Sequence, residues 1–345
     1  MTRFSVARSG TVIAVGSRPD HPERTALVEG LGALLFWDVL SPEAHPAAEI
    51  HDLALASAWL WELYGPNAAA SILNGAISVD TEASSPGLDS LRALAHLHWA
   101  SAWWPSSYWA GVPALPAGIL RAEIAWRTAA VEHLLEDEHA VERALAQANL
   151  VALGLLTTDA DLGTEARALA EVLDDLAEDH GLELRREPAV RPEGWALAAG
   201  GGETSGLTLA SGTSPLDWAL VPQGLVDASA DAAWSVTQTG TLTLTVSVPA
   251  APEPPPLALT ARIAGADIPL RFDPPSSAFT GEIEAPQGFM MLPAAERTLV
   301  VFAPDFAVPA APDPDAAERQ AAVVTFALER LTAPDASLTE RAARA

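Results

Sequence analysis

Apolar positions change their period along the chain near residue 185. Before it they recur every three or four residues, the spacing that gathers them on one face of a helix; after it they alternate with polar residues, the spacing of a strand. Residues 3–7 and 10–16 read as a small hairpin turning at Ser9-Gly10. A helix is predicted over residues 25–40, although Gly30 and Gly32 are poor helix formers, and another from Pro42 or Pro46 to the stop at Gly65-Pro66. The last turns of that second helix are apolar on nearly every face, as in a helix at the centre of a bundle. Helices are predicted near residues 68–73, over 88–103, where Pro105 forces an end, and over 117–135, 138–155 and 164–179. Glu123 and Arg127 have the spacing of an i,i+4 ion pair. Together these segments predict an all-α helical bundle with a short β-hairpin prelude.

Residues 241–248, Thr-Leu-Thr-Leu-Thr-Val-Ser-Val, alternate without interruption, as do 257–263, 268–272 and 279–283. With shorter apolar stretches at Leu207, Trp218, Trp234 and Leu299, turns at Thr239-Gly240 and over 264–266, and a loop at Gly200-Gly201-Gly202, they predict an antiparallel β-sandwich. Asp313-Pro314 opens a last helix, an N-cap followed by proline, with Val324, Ala327, Leu328 and Leu331 as its apolar stripe. The tail beyond it is expected to fray. The expected class is therefore α+β and multidomain: a helical domain over 1–186, a linker over 187–194, a sandwich-like domain over 195–312, and a C-terminal helix and tail over 313–345 docked on one of the two. A cut near the linker is expected to yield two soluble folded pieces.

Composition narrows the chemistry. A chain of 345 residues is long for one core, and 49% hydrophobic against 19% charged residues marks a chain that folds. A net charge of −26 repels phosphate backbones and anionic headgroups, which leaves a protein of neutral or basic character as the expected partner. There is no cysteine, and all 19 basic residues are arginine. Missing lysine beside abundant Ala, Pro, Gly and Arg fits a bacterium with a GC-rich genome. It removes the Walker-type phosphate loop, Schiff-base chemistry and the kinase lysine; missing cysteine removes thiolate nucleophiles, disulfides and zinc fingers. The first residues lack the apolar core of a signal peptide. The long apolar runs over 31–40 and 53–64 are shorter than a membrane span and carry Asp38 and Glu62, so a cytoplasmic location is expected.

Candidate chemistry concentrates in residues 94–126, which hold Trp99, Trp103, Trp104, Tyr108, Trp109 and Trp126. So many indoles make either the centre of a helical core or an amphipathic binding surface. Prolines at 105 and 116 stiffen the connector between them, so Trp103, Trp104, Tyr108 and Trp109, with nearby His96, are the candidate binding residues. All eight histidines lie at or before His180, so a general base or histidine ligand must come from the first half. Glu136 and His139 have the Glu-x-x-His spacing of carboxylate-bridged metal sites, but the motif occurs once. Glu43, His45, Glu49, His51 and Asp52 form a second cluster, placed where a helix start favours acids, and Asp38 is either a buried acid or an exposed helix end. No Gly-x-Ser-x-Gly elbow is present, and no catalytic residue, metal ligand or cofactor is assigned. The expected function is that of a non-catalytic cytoplasmic adaptor or scaffold binding a protein partner. The alternatives are a metal-dependent enzyme using Glu136 and His139 in the helical domain, and a small-ligand-binding protein using the Trp-rich segment.

Overall fold

The N-terminal hairpin forms, but turns one residue later than expected, at Gly10-Thr11, with Ser9 still paired to Val12. In a computed structural model, which describes residues 2–82, 85–184, 207–238, 241–306, 313 and 315–344, strands β1 (Arg3–Ser9) and β2 (Val12–Val15) pair antiparallel with Val6 opposite Val15. They belong to a larger sheet than the sequence pattern implies. Strands β3 (Thr25–Gly30), β4 (Ala33–Asp38), β5 (Ala47–Ile50) and β6 (Ser78–Asp80) complete a six-stranded antiparallel sheet in the order β3-β4-β5-β2-β1-β6.

The helix predicted over residues 25–40 is thus a β-hairpin. Strand β4 buries Leu35, Phe36 and Trp37 in succession, and a strand covered on both faces has the same continuous apolar run as a buried helix. The deciding residue is Gly32, whose φ of 76° closes the turn between Gly30 and Ala33. The helix predicted from Pro42 or Pro46 is likewise corrected to β5 followed by two short helices, α1 (Leu53–Ala56) and α2 (Leu60–Tyr64). The all-α bundle with a hairpin prelude is therefore replaced by an antiparallel sheet followed by a helical region.

The remaining helices keep the predicted places. They are α3 (Pro66–Leu73), α4 (Pro86–Trp103), α5 (Ala117–Ala130), α6 (Ala140–Gln147), α7 (Leu150–Leu156) and α8 (Gly163–Asp179). The stretch 138–155 breaks into two because Asn149 caps α7, its side chain accepting from the Val151 N–H at 2.9 Å. Ile119, Ala122, Leu145, Leu153, Leu169 and Leu173 form one buried cluster of this region.

Among the described residues the second half forms a single seven-stranded antiparallel sheet, not a sandwich. Its strands are β7 (Leu207–Ser214), β8 (Ala232–Gln238), β9 (Leu242–Pro249), β10 (Leu259–Ile263), β11 (Ala266–Asp273), β12 (Ala278–Glu284) and β13 (Leu299–Phe302), in the order β13-β10-β11-β12-β9-β8-β7. The alternation in β9 is kept: Leu244, Val246 and Val248 are buried while Thr243, Thr245 and Ser247 face away. The sheet curls as a half-barrel, and the Leu299 N–H of β13 donates to Ser214 Oγ of β7 at 3.2 Å. Curling lets one face enclose its own core of Val236, Val246, Ile263, Ile268 and Phe279, so no second sheet is needed. The stretch at Trp218 is a turn, and Leu220 and Val221 plug that core. The turn at Thr239-Gly240, the glycine run 200–202, the linker 187–194 and Pro314 lie outside the described residues.

Helix α9 (Ala316–Arg330) buries Val323 and Ala327, and Leu331 just past its end is buried too, so Ala327 and Leu331 of the predicted stripe are in the core while Val324 is half-buried and Leu328 exposed. The tail does not fray but forms α10 (Leu338–Arg344), with Leu338, Thr339 and Glu340 buried. Two compact units result. One comprises Met1–Ala102, Leu115–Pro188 and Arg330–Ala345, the other Trp103–Ala114 and Ala189–Glu329. Among the described residues no helix is long and apolar enough to cross a membrane.

Candidate functional site

The connector after α4 folds into a tight loop. Trp104 is buried and its indole N–H donates to the Pro113 carbonyl at 2.8 Å, which ties the two ends together. Ser107 and Val112 exchange backbone hydrogen bonds of 2.8 and 2.9 Å, and Gly111, at φ 71°, makes the return possible. At the tip, Tyr108 is 66% and Trp109 78% exposed. Trp103 is half-buried.

A buried carboxylate fixes that tip. Asp227, 1% exposed, accepts from Ser107 Oγ at 2.7 Å and from the Ser229 N–H at 3.0 Å on one oxygen. Its other oxygen takes the Tyr108 N–H at 2.8 Å and the Trp109 N–H at 3.4 Å. Ser107 Oγ in turn accepts from the Ala110 N–H at 2.9 Å. Four donors thus converge on one carboxylate, the arrangement a buried charge requires, and the backbone of both exposed aromatics is held. Nothing in the Trp-rich segment points to Asp227; its only sequence signal is an acid between Val226 and Ala228 in an apolar stretch.

His96 is placed elsewhere, in the first unit. Its Nε2 lies 2.9 Å from Glu340 Oε1, and its ring stacks on Trp99 with centroids 5.6 Å apart. Arg330 donates to both oxygens of Glu340, at 3.0 and 2.8 Å. Burial alone would raise the Glu340 pKa, but the hydrogen bonds and charges of His96 and Arg330 outweigh it and bring it down to about 2. Trp99 is buried and donates to the Glu23 carbonyl at 2.8 Å. Glu123 does not spend its oxygens on Arg127: they accept the Leu338 and Thr339 N–H groups at 2.9 and 2.8 Å, capping the start of α10. Arg127 lies over the Trp126 ring, 4.0 Å from its centroid.

The metal-like spacings resolve into structural roles. Glu136 precedes α6, and its carboxylate accepts the Gly32 N–H at 2.6 Å. His139 is the exposed N-cap residue of that helix, so the two do not share a helical face. His45 meets Glu43 at 3.2 Å and stacks on Tyr64, while Asp52 caps α1 through the Ala54 and Leu55 N–H groups. Asp38 is paired with Arg24 and accepts the Leu40 N–H at 3.0 Å. Among the described residues no group of three or more His, Asp or Glu is placed to hold a metal ion. Compared with protein-family models, with curated proteins and with solved structures, the chain finds no match. The functional reading therefore stands on the geometry of its own residues.

Proposed function

We propose that the protein is a non-catalytic cytoplasmic adaptor or scaffold that engages a protein partner through Tyr108 and Trp109. The observation that carries this reading is the pairing of two consecutive exposed aromatics with a backbone fixed by buried Asp227. An anchor already held in its bound shape loses little conformational entropy on docking, and Tyr and Trp are the residues that most often dominate binding energy. Trp104 serves as the support of the loop rather than its contact face. The net charge of −26 supports a partner of basic character, because like-charged proteins repel at the encounter stage.

The test is a Tyr108→Ala/Trp109→Ala double variant used beside the native protein to capture partners from the source cell. The expected outcome is one partner retained by the native protein and lost by the variant, with an affinity loss of roughly 2 kcal/mol or more. Equal capture by both proteins, or turnover in a broad hydrolase and transferase screen, would overturn the reading.

A further inference from the structure

A cavity of about 490 Å³ opens in the first unit beside β3, α4, α5 and α6. Its size lies within the range of small-molecule sites. Leu27, Leu94, Ile124 and Leu135 make its apolar wall, Leu27 being 40% exposed at its mouth. The indoles of the Trp-rich segment take no part in the lining.

The polar lining decides what kind of molecule fits. Among the described residues Arg143 is the only arginine of the wall, and it is paired with Asp137. Glu29 and His98 also line the cavity, and among the described residues neither side chain has a hydrogen-bonding partner. His98 opens to solvent, yet the protein around its ring displaces enough water to lower its pKa, which leaves it neutral near pH 7 and able to accept a hydrogen bond. The wall therefore carries one uncompensated negative charge, inside a chain whose net charge of −26 draws cations and repels anions.

We infer that this cavity binds a small organic ammonium ion, its apolar body against Leu27, Leu94, Ile124 and Leu135 and its charge beside Glu29. An anion of the same shape meets Glu29 unfavourably, and a neutral analogue gains the apolar contact alone. The site is independent of Tyr108 and Trp109.

Isothermal titration of the full chain at neutral pH with 2-phenylethylamine, 2-phenylethanol and 3-phenylpropionate tests it. The amine is expected to bind about tenfold tighter than the alcohol, with no measurable binding of the carboxylate. Glu29→Gln, a conservative change at an exposed position, should reduce the amine to the affinity of the alcohol. Ala144→Phe, which fills the cavity, should abolish binding of both, with the melting temperature showing that the variant folds. Failure of the amine to bind at millimolar concentration, equal binding of the carboxylate, or an amine affinity unchanged by Glu29→Gln would each overturn the inference.

Discussion

Asp227 and the two aromatics it supports contribute in different ways. Removing the carboxylate by Asp227→Ala leaves the Ser107 hydroxyl and the Tyr108 and Ser229 N–H groups without their acceptor. The expected loss is roughly 3 kcal/mol in urea denaturation, because the buried Ser107 hydroxyl cannot recover water and the backbone donors lose a charged acceptor. Tyr108→Ala/Trp109→Ala removes side chains that are already solvated, and should move stability by less than about 1 kcal/mol. Trp104→Ala opens a cavity instead and should cost about 3 kcal/mol or more. Glu340 adds a pH dependence of defined sign. Its folded pKa, about 2, lies below the ordinary carboxylate value, so its contribution is complete above about pH 4.5 and is lost as pH falls toward 2. Thermal melts across that window should show the native protein losing up to roughly 3 kcal/mol more than Glu340→Gln. The exposed residues Tyr108 and Trp109 were legible as candidates because prolines flank them; Asp227 was not, because 118 residues separate it from Trp109.

Among the elements, the β3–β4 hairpin depends on one glycine. A Cβ on Gly32 would stand 2.6 Å from the Asp52 carbonyl oxygen, at a φ of 76° that side chains avoid. Gly32 also donates to Glu136 and accepts the His51 and Asp52 N–H groups at 3.0 Å, so the turn cannot shift without breaking other contacts. Gly32→Ala should lower stability by about 2 kcal/mol or more, read as a fall in melting temperature, whereas Gly75→Ala, at the end of α3 with open space around it, should show only the backbone cost of about 1 kcal/mol. The same glycine explains the misread helix over residues 25–40. Periodicity reports burial, and β4, buried on both faces, reports it in the way a core helix does. Helices α4, α5 and α8 were readable because each is long and bounded on one side by a proline or a glycine: Pro105 after α4, Pro116 before α5 and Gly181 after α8.

For the whole molecule, the two units are interleaved along the chain, since Trp103–Ala114 belongs with Ala189–Glu329 and Arg330–Ala345 with the N-terminal unit. A cut near 187–194 therefore separates Ser107 from Asp227, and Glu123 from the α10 N–H groups it caps. Neither fragment should unfold cooperatively alone in urea, and mixing the two should restore the transition. Two independently cooperative fragments would show that these buried carboxylates are dispensable.

The residues alone determined local character: the alternation that makes β9, the proline stops around the aromatic loop, and the absence of lysine and cysteine that removes whole chemistries. They also placed helices between Pro86 and Asp179 and alternating strands from Leu207 on, but not the strands β3, β4 and β5. Tertiary structure decided how strands close and which distant groups meet. A curled seven-stranded sheet in place of a sandwich, the packing of α10, and the convergence of four donors on Asp227 all depend on contacts between residues far apart in the chain. Hydrophobic periodicity records which face of an element is covered but not what covers it, so those pairings become visible only in three dimensions.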